Sequence, residues 1–276
     1  MFAIVHQRLI DAFGWRGAWA ASGVIAILII APVALLFIRR TPEDMGLRPD
    51  GEATPTASAR GTAAQTARET VWTPKAALRT AALWQVVVAY ALLGFAMGGF
   101  IVHRFPFWVD KGLPEHLVAL SYSIDAAVFG IGTATAGPLC DRFPVRYVAA
   151  TAIGIQLTGV VLTIVGNGSL AMFASASVFG IGAGTGIVIQ QYIWPAYFGR
   201  SFLGTIRGIV LPTSLVANGL GPPFLGFMFD RLGSYDAAFW MVAGLTVAAM
   251  VTMFIAKPPR PRAGLTGAVP APASTG

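Results

Sequence analysis

The sequence predicts an all-α membrane protein with about seven transmembrane helices, and three observations carry that prediction. Of its 276 residues 55% are hydrophobic and 11% charged, against roughly 25% charged in an ordinary soluble domain. Apolar runs of about twenty residues recur along the chain, each able to cross ~30 Å of hydrocarbon as a helix. The net charge of +7 is spread over the segments between those runs, whereas a nucleic-acid binder gathers its cations on one polar face.

The runs fall at residues 16–38, 83–103, 116–139, 146–166, 169–192, 204–228 and 237–256. The first ends in Arg39 and Arg40 and lacks the basic start and small-residue cleavage site of a secretory signal, so it reads as a retained span. Residues 39–79 hold Pro42, Glu43, Asp44, Pro49 and the run GEATPTASARGTAAQTARET, too polar and too rich in small residues to form a core, and read as a flexible linker. At its end Thr73 and Pro74 have the pattern of an N-cap and a first-turn proline, which predicts a short surface helix leading into the second span. Glycines recur at close spacing inside the spans, at Gly94, Gly98 and Gly99 and at Gly180, Gly182, Gly184 and Gly186, where they let helices approach.

Fourteen Lys and Arg residues fall in the linker, in loops 140–147 and 197–207, and in the tail from Lys257; five, Arg8, Arg16, Arg104, Lys111 and Arg231, fall in the alternate set. The positive-inside rule places the larger set in the cytoplasm, with the C-terminus, and the N-terminus outside. A multi-pass protein of the plasma membrane, the inner membrane in a bacterium, is the expected location.

Several classes are disfavoured. The single cysteine, Cys140, makes no internal disulfide, and no cysteine and histidine cluster offers a metal site, so no cofactor is expected. The glycine-rich IGAGTG lies inside an apolar run and lacks the Lys-Ser/Thr of a phosphate loop, which speaks against ATP-driven transport. An intramembrane enzyme needs paired acids or a Ser/His or His/Glu motif, and Asp125 reads as alone within its span, so no enzyme is predicted.

Polar residues inside apolar runs are the candidate functional groups. Asp125 stands nine residues after His116, ~13 Å along a helix and so near mid-membrane. It is expected to take a coupling proton or a polar group of a solute, or else to serve as a structural aspartate bonded to Ser121 or a neighbouring helix. His103, placed at the outer end of the second span, suits proton handling or gating, or is simply solvated. Gln190 and Gln191, late in the fifth span, face a solute or bond another helix. Tyr192 and Trp194 read as an interfacial aromatic belt, and Pro222 and Pro223 as a kink in the sixth span.

The segment LIDAFGWRGAW at 9–19 repeats in FDRLGSYDAAFW at 229–240: an Asp, a Gly three residues on, then a small residue and an aromatic opening a span. Together with VHRFPFWVDKGL, GPLCDRFPVR, and YFGR leading through RG to GPPFLGFMFDRLGSYDAAF, it resembles the major facilitator superfamily from Leu9 to Pro259, in the branch of the monocarboxylate transporters and oxalate/formate antiporters. The resemblance implies the last helix of an N-terminal six-helix half followed by the whole C-terminal half. Residues 1–38 are then a remnant of the first half, 39–79 a cytoplasmic linker, 80–256 the six-helix half and 257–276 a disordered cytoplasmic tail.

It implies, further, a cytoplasmic gating motif, Gly-x-x-x-Asp-Arg/Lys-x-Gly with following basic residues, matched by Gly137, Asp141, Arg142 and Arg146, with Pro144 in place of the second glycine. The monocarboxylate branch often carries Asp-x-x-x-Arg in the helix of the third span; here Asp125 is present and Phe129 stands where the arginine would. The function implied is secondary transport of a small organic solute, with organic anions among the candidates, by proton-coupled alternating access. The partners implied are membrane lipid, the solute, and the missing N-terminal half or a second copy; nucleic acid is not among them. The alternatives are a truncated, non-transporting fragment or half-transporter subunit, and, ranked below it, a membrane-embedded enzyme.

Overall fold

The computed structural model describes residues 2–37, 72–199 and 202–259, with residues 2–8 and 10–12 as backbone only. Of the linker expected at 39–79 and the tail expected at 257–276, residues 39–71 and 260–276 lie outside the described residues. The chain divides into two compact units, Met1–Thr66 and Ala67–Gly276.

The first unit holds α1 (Phe2–Phe37), broken at Gly14, where φ is 68° and ψ 171°. Only glycine takes that conformation without strain, so the chain turns and a new helix starts, giving a candidate span at Phe13–Leu36. Arg16 lies over the Trp15 ring at 4.4 Å, an arrangement suited to the membrane interface. The expected repeat reappears in the second unit, where Gly233, three residues after Asp230, also has φ 68° just before a span opens. Each loop turns at the same place because each has a glycine there.

The second unit begins with α2 (Pro74–Leu78), capped as the Thr-Pro pair predicts: Thr73 Oγ1 accepts from the Ala76 amide at 3.3 Å. Thr80 then caps α3 (Ala81–Asp110), its Oγ1 accepting from the Leu83 amide at 3.3 Å. There follow α4 (Glu115–Arg142), α5 (Val145–Val165), α6 (Gly168–Phe198), α7 (Leu203–Leu232) and α8 (Asp236–Ile255). With the α1 span, seven described helices are long and apolar enough to cross a membrane, as the sequence predicts.

The helices run past several expected span ends. Helix α3 continues through Pro106 to Asp110, which carries Arg104 inside the helix rather than into an outer loop and leaves His103 about two turns from the helix end. Helix α4 runs to Arg142, so Asp141 belongs to its last turn and only Phe143 and Pro144 separate it from α5.

Packing follows the small residues. Helix α6 lies against α4 on one side and α5 on the other, α3 packs on α7, and α8 touches α5 and α3. A Cβ added at Gly184 would stand 2.0 Å from the Phe129 carbonyl oxygen of α4, and one at Gly182 would stand 2.7 Å from the Gln156 amide of α5. The alternate glycines of α6 thus serve two helices at once. On α3, Gly98 meets the Asn218 carbonyl of α7, 2.3 Å from the position of a Cβ. Trp194 belongs to the core: it is buried and stacked on Phe198, a correction to the interfacial-belt reading, while Tyr192 is exposed.

Lys111, just after α3, closes the far end. Its Nζ donates to the carbonyls of Thr163, Ile164 and Gly166 at 3.4, 2.9 and 2.8 Å, the end of α5 where carbonyls lack helical partners and the dipole is negative. Burial lowers the Lys111 ammonium from its ordinary value, against an opposing pull from Asp236. Lys111→Met is expected to destabilise the bundle by about 1–3 kcal/mol, the contribution of charge-assisted hydrogen bonds. Thermal unfolding in detergent measures it; an unchanged midpoint would show these contacts to be idle.

Candidate binding site

The side chains that stand out are two charges inside the bundle. Arg104 of α3 is 2% exposed and donates from Nη2 to Asp125 Oδ2 of α4, whose side chain is 15% exposed. It is the one ion pair among the described residues. Asp125 is therefore not isolated, and the expected Ser121 contact is absent, since Ser121 Oγ donates to the Val118 carbonyl at 2.7 Å. The acid lies against Gly180 of α6, where an added Cβ would come within 2.6 Å of Oδ1. Without a side chain at 180 the carboxylate has room.

The guanidinium is held among rings, its Cζ 4.5 Å from the Tyr122 centroid, 5.0 Å from Phe179 and 5.6 Å from Phe100. Cation–π attraction offsets part of the desolvation of such a charge. Its Nε and Nη1 are buried and have no hydrogen-bond partner. Arg104 thus spends one nitrogen on Asp125 and keeps two unspent.

Phe179 also lines a recess of about 420 Å³ bounded by α3, α4, α5, α6 and α7. Its polar groups include Gln156, Gln190, Ser214 and Asn218. Gln156 donates to the Gly182 carbonyl at 3.3 Å and Asn218 to Gly94 at 3.2 Å. Gln191, also on the recess wall, accepts from Arg207 of α7, which is helix-to-helix bonding as the alternative for that amide has it.

His103 sits half-buried within α3 and not at its outer end. Its Nε2 lies 2.9 Å from the Pro222 carbonyl and its Nδ1 3.3 Å from Tyr235 Oη. A carbonyl only accepts, so Nε2 carries a proton. The imidazole ties α3 to the proline-bearing stretch of α7, which contains Pro212, Pro222 and Pro223, and to the start of α8.

The residues of the expected gating motif stay apart. Nothing lies within 4 Å of a Cβ added at Gly137, so it makes no close helix approach in this bundle. Asp141 and Arg142 are exposed at the end of α4 and without an ion-pair partner among the described residues. Arg146 donates to Tyr147 Oη at 2.7 Å and lies over that ring at 4.5 Å.

Residues 105–275 match the Major Facilitator Superfamily. The chain belongs to the major facilitator superfamily. Among curated proteins it is similar to monocarboxylate transporter 11 of Homo sapiens, 26% identical over 90% of this chain and 51% of that protein, and to monocarboxylate transporter 13 of Bos taurus, 25% identical over 93% and 56%. The chain spans about half the length of the curated relatives it matches. Among solved structures, the POT family transporter PepTSo shares the fold, with TM-score 0.53 and 15% identity, covering 66% of this chain and 39% of that one. The family is one of transporters and not of enzymes.

Of the expected Asp-x-x-x-Arg pattern, the chain has Asp125, with Phe129 at the arginine position. Arg104 stands on the neighbouring helix and reaches the same carboxylate. The sequence reading places Arg104 just past the second apolar run, which it ends at residue 103. The signal that finds it is the helical period of buried residues Met97, Phe100, Arg104, Phe107 and Trp108, which passes straight through the arginine.

Proposed function

We propose that the chain forms one half, with one further span, of a secondary transporter that moves a small organic monoanion by proton-coupled alternating access. The observation that supports this best is Arg104, a buried cation with two donors that have no hydrogen-bond partner, packed on Phe179, which lines a largely apolar recess carrying a few polar groups. Buried unsatisfied donors cost about 1–3 kcal/mol each, and a carboxylate presents two oxygens that match a guanidinium edge. Protonation of Asp125 would cancel its charge and release Nη2 to the solute. One proton and one monoanion then cross as a neutral sum. The names of the relatives, monocarboxylate transporters, favour the same class of solute.

Gln190, Gln191 and His103 are assigned supporting parts: the Gln190 amide faces the solute path, Gln191 ties α6 to α7 through Arg207, and His103 holds the proline-bearing stretch of α7. Asp141, Arg142 and Arg146, with Gly137, form the cytoplasmic gate against helices outside this bundle. The cation count supports a cytoplasmic C-terminus and an external N-terminus in the plasma membrane. Moving Arg104 out of the loop lowers the external set to four and so sharpens the asymmetry. A reporter fused after Gly276 is expected to be cytoplasmic and a tag before Met1 external; a cytoplasmic tag at Met1 would refute the orientation.

The uncovered faces of α4 and α7, with Ile131, Leu215 and Leu220 exposed, favour the reading that a second half or a second copy completes the path. Vesicles containing residues 1–276 alone should take up no labelled monocarboxylate above protein-free vesicles. A chimera joining the N-terminal half of monocarboxylate transporter 11 to residues 80–276 should restore saturable, pH-driven uptake. Saturable uptake by the monomeric chain would sink the half-transporter reading, and a folded chimera without uptake would count against transport.

A further inference from the structure

The end of the bundle where α3 begins carries a pocket of about 540 Å³ between α2, the first turn of α3 and the stretch after α8. Trp72, Ala76 and Ile255 supply apolar wall, while Arg79, Gln85 and Lys257 supply polar groups. Both cations are exposed, and neither has a carboxylate partner among the described residues. No acidic side chain among the described residues lines the pocket. Two cations with no described carboxylate partner over an apolar slot call for an amphipathic anion.

The depth of the pocket narrows the choice further. The α3 span starts at Ala81 and the α8 span ends at Ile255, so the slot lies where hydrocarbon gives way to headgroups. Trp84, 51% exposed, marks that level, its Nε1 donating to the Leu78 carbonyl at 2.9 Å. An indole with a wet polar edge and an apolar body prefers this layer. Lys75 is exposed on α2 and adds a third cation nearby in the chain. A soluble anion would gain only the charges, whereas a phospholipid also covers the apolar wall.

We propose that this pocket is a binding site for an anionic phospholipid of the adjacent leaflet. The phosphodiester lies between Arg79 and Lys257, and the first acyl methylenes lie against Trp72 and Ile255. The site rests on the membrane reading alone and not on the transport reading.

The test is native mass spectrometry of the whole chain released from nanodiscs of equal phosphatidylglycerol and phosphatidylcholine. Wild type is expected to retain phosphatidylglycerol roughly thirty-fold over phosphatidylcholine, about fivefold for each of the two cations. R79Q/K257Q should lose that preference, R79E/K257E should invert it, and R231Q, a cation at the other end of the bundle, should keep it. Equal retention of the two lipids by wild type, or undiminished phosphatidylglycerol on R79Q/K257Q, would overturn the proposal. So would displacement of the bound lipid by millimolar inorganic phosphate, which would assign the pocket to a soluble anion.

Discussion

Asp125→Asn is expected to destabilise the bundle by about 3–5 kcal/mol, because it leaves Arg104 buried without its counter-charge. Arg104→Met should cost a comparable amount, though the partly exposed Asp125 keeps some access to solvent. The double variant Arg104→Met with Asp125→Asn removes both charges, and an apolar replacement of a buried pair is often neutral or stabilising. It should recover most of the lost thermal stability. Proton-driven monocarboxylate uptake by the chimera should nevertheless stay absent in all three variants, since the double variant has neither the donors for a carboxylate nor an acid to protonate. Recovery of uptake together with stability would show the pair to be structural only, and an additive cycle would show the two residues to be uncoupled.

Gly184→Val is the second large expected effect. Its Cβ would fall 2.0 Å from the Phe129 carbonyl oxygen, a backbone atom that cannot swing aside, so α4 and α6 must separate. Overpacking of this kind costs typically about 1–3 kcal/mol, and here the loss extends to the helix contact that holds Asp125 against Gly180. Gly137→Val is the internal comparison, because open space surrounds Gly137. In detergent, the Gly184 variant should unfold at a lower temperature and elute as a broader species, while the Gly137 variant should match the wild type. Equal behaviour of the two would contradict the α4–α6 packing.

The two glycines also mark how far the sequence can be read. Gly137 sits in a family motif and Gly184 in a run of alternating small residues, and both look like packing glycines on the linear chain. Only Gly184 faces a neighbour, because which side of a helix points inward depends on what is packed there. The same holds for aromatic residues: Tyr192 and Trp194 are two apart, about 200° round a helix, and one is exposed while the other is buried.

The gating motif divides in the same way. The residue pattern from Gly137 to Arg146 is legible, but Asp141 and Arg142 face no charged partner among the described residues. Arg146 instead uses its neighbour Tyr147.

By itself the sequence determined the seven spans, the short capped helix before α3 and the repeated Asp-x-x-Gly turn with its glycine at positive φ. Those features are local: a twenty-residue apolar run satisfies its own backbone and matches the membrane whatever surrounds it, and a positive φ asks only for glycine. The tertiary structure decided the rest. Arg104 and Asp125 lie 21 residues apart on different helices, and nothing in either segment encodes the rotation that turns one toward the other. That rotation comes from the glycine seams between α4 and α6 and between α3 and α7, which fix how deep each helix sits and so which charge finds which.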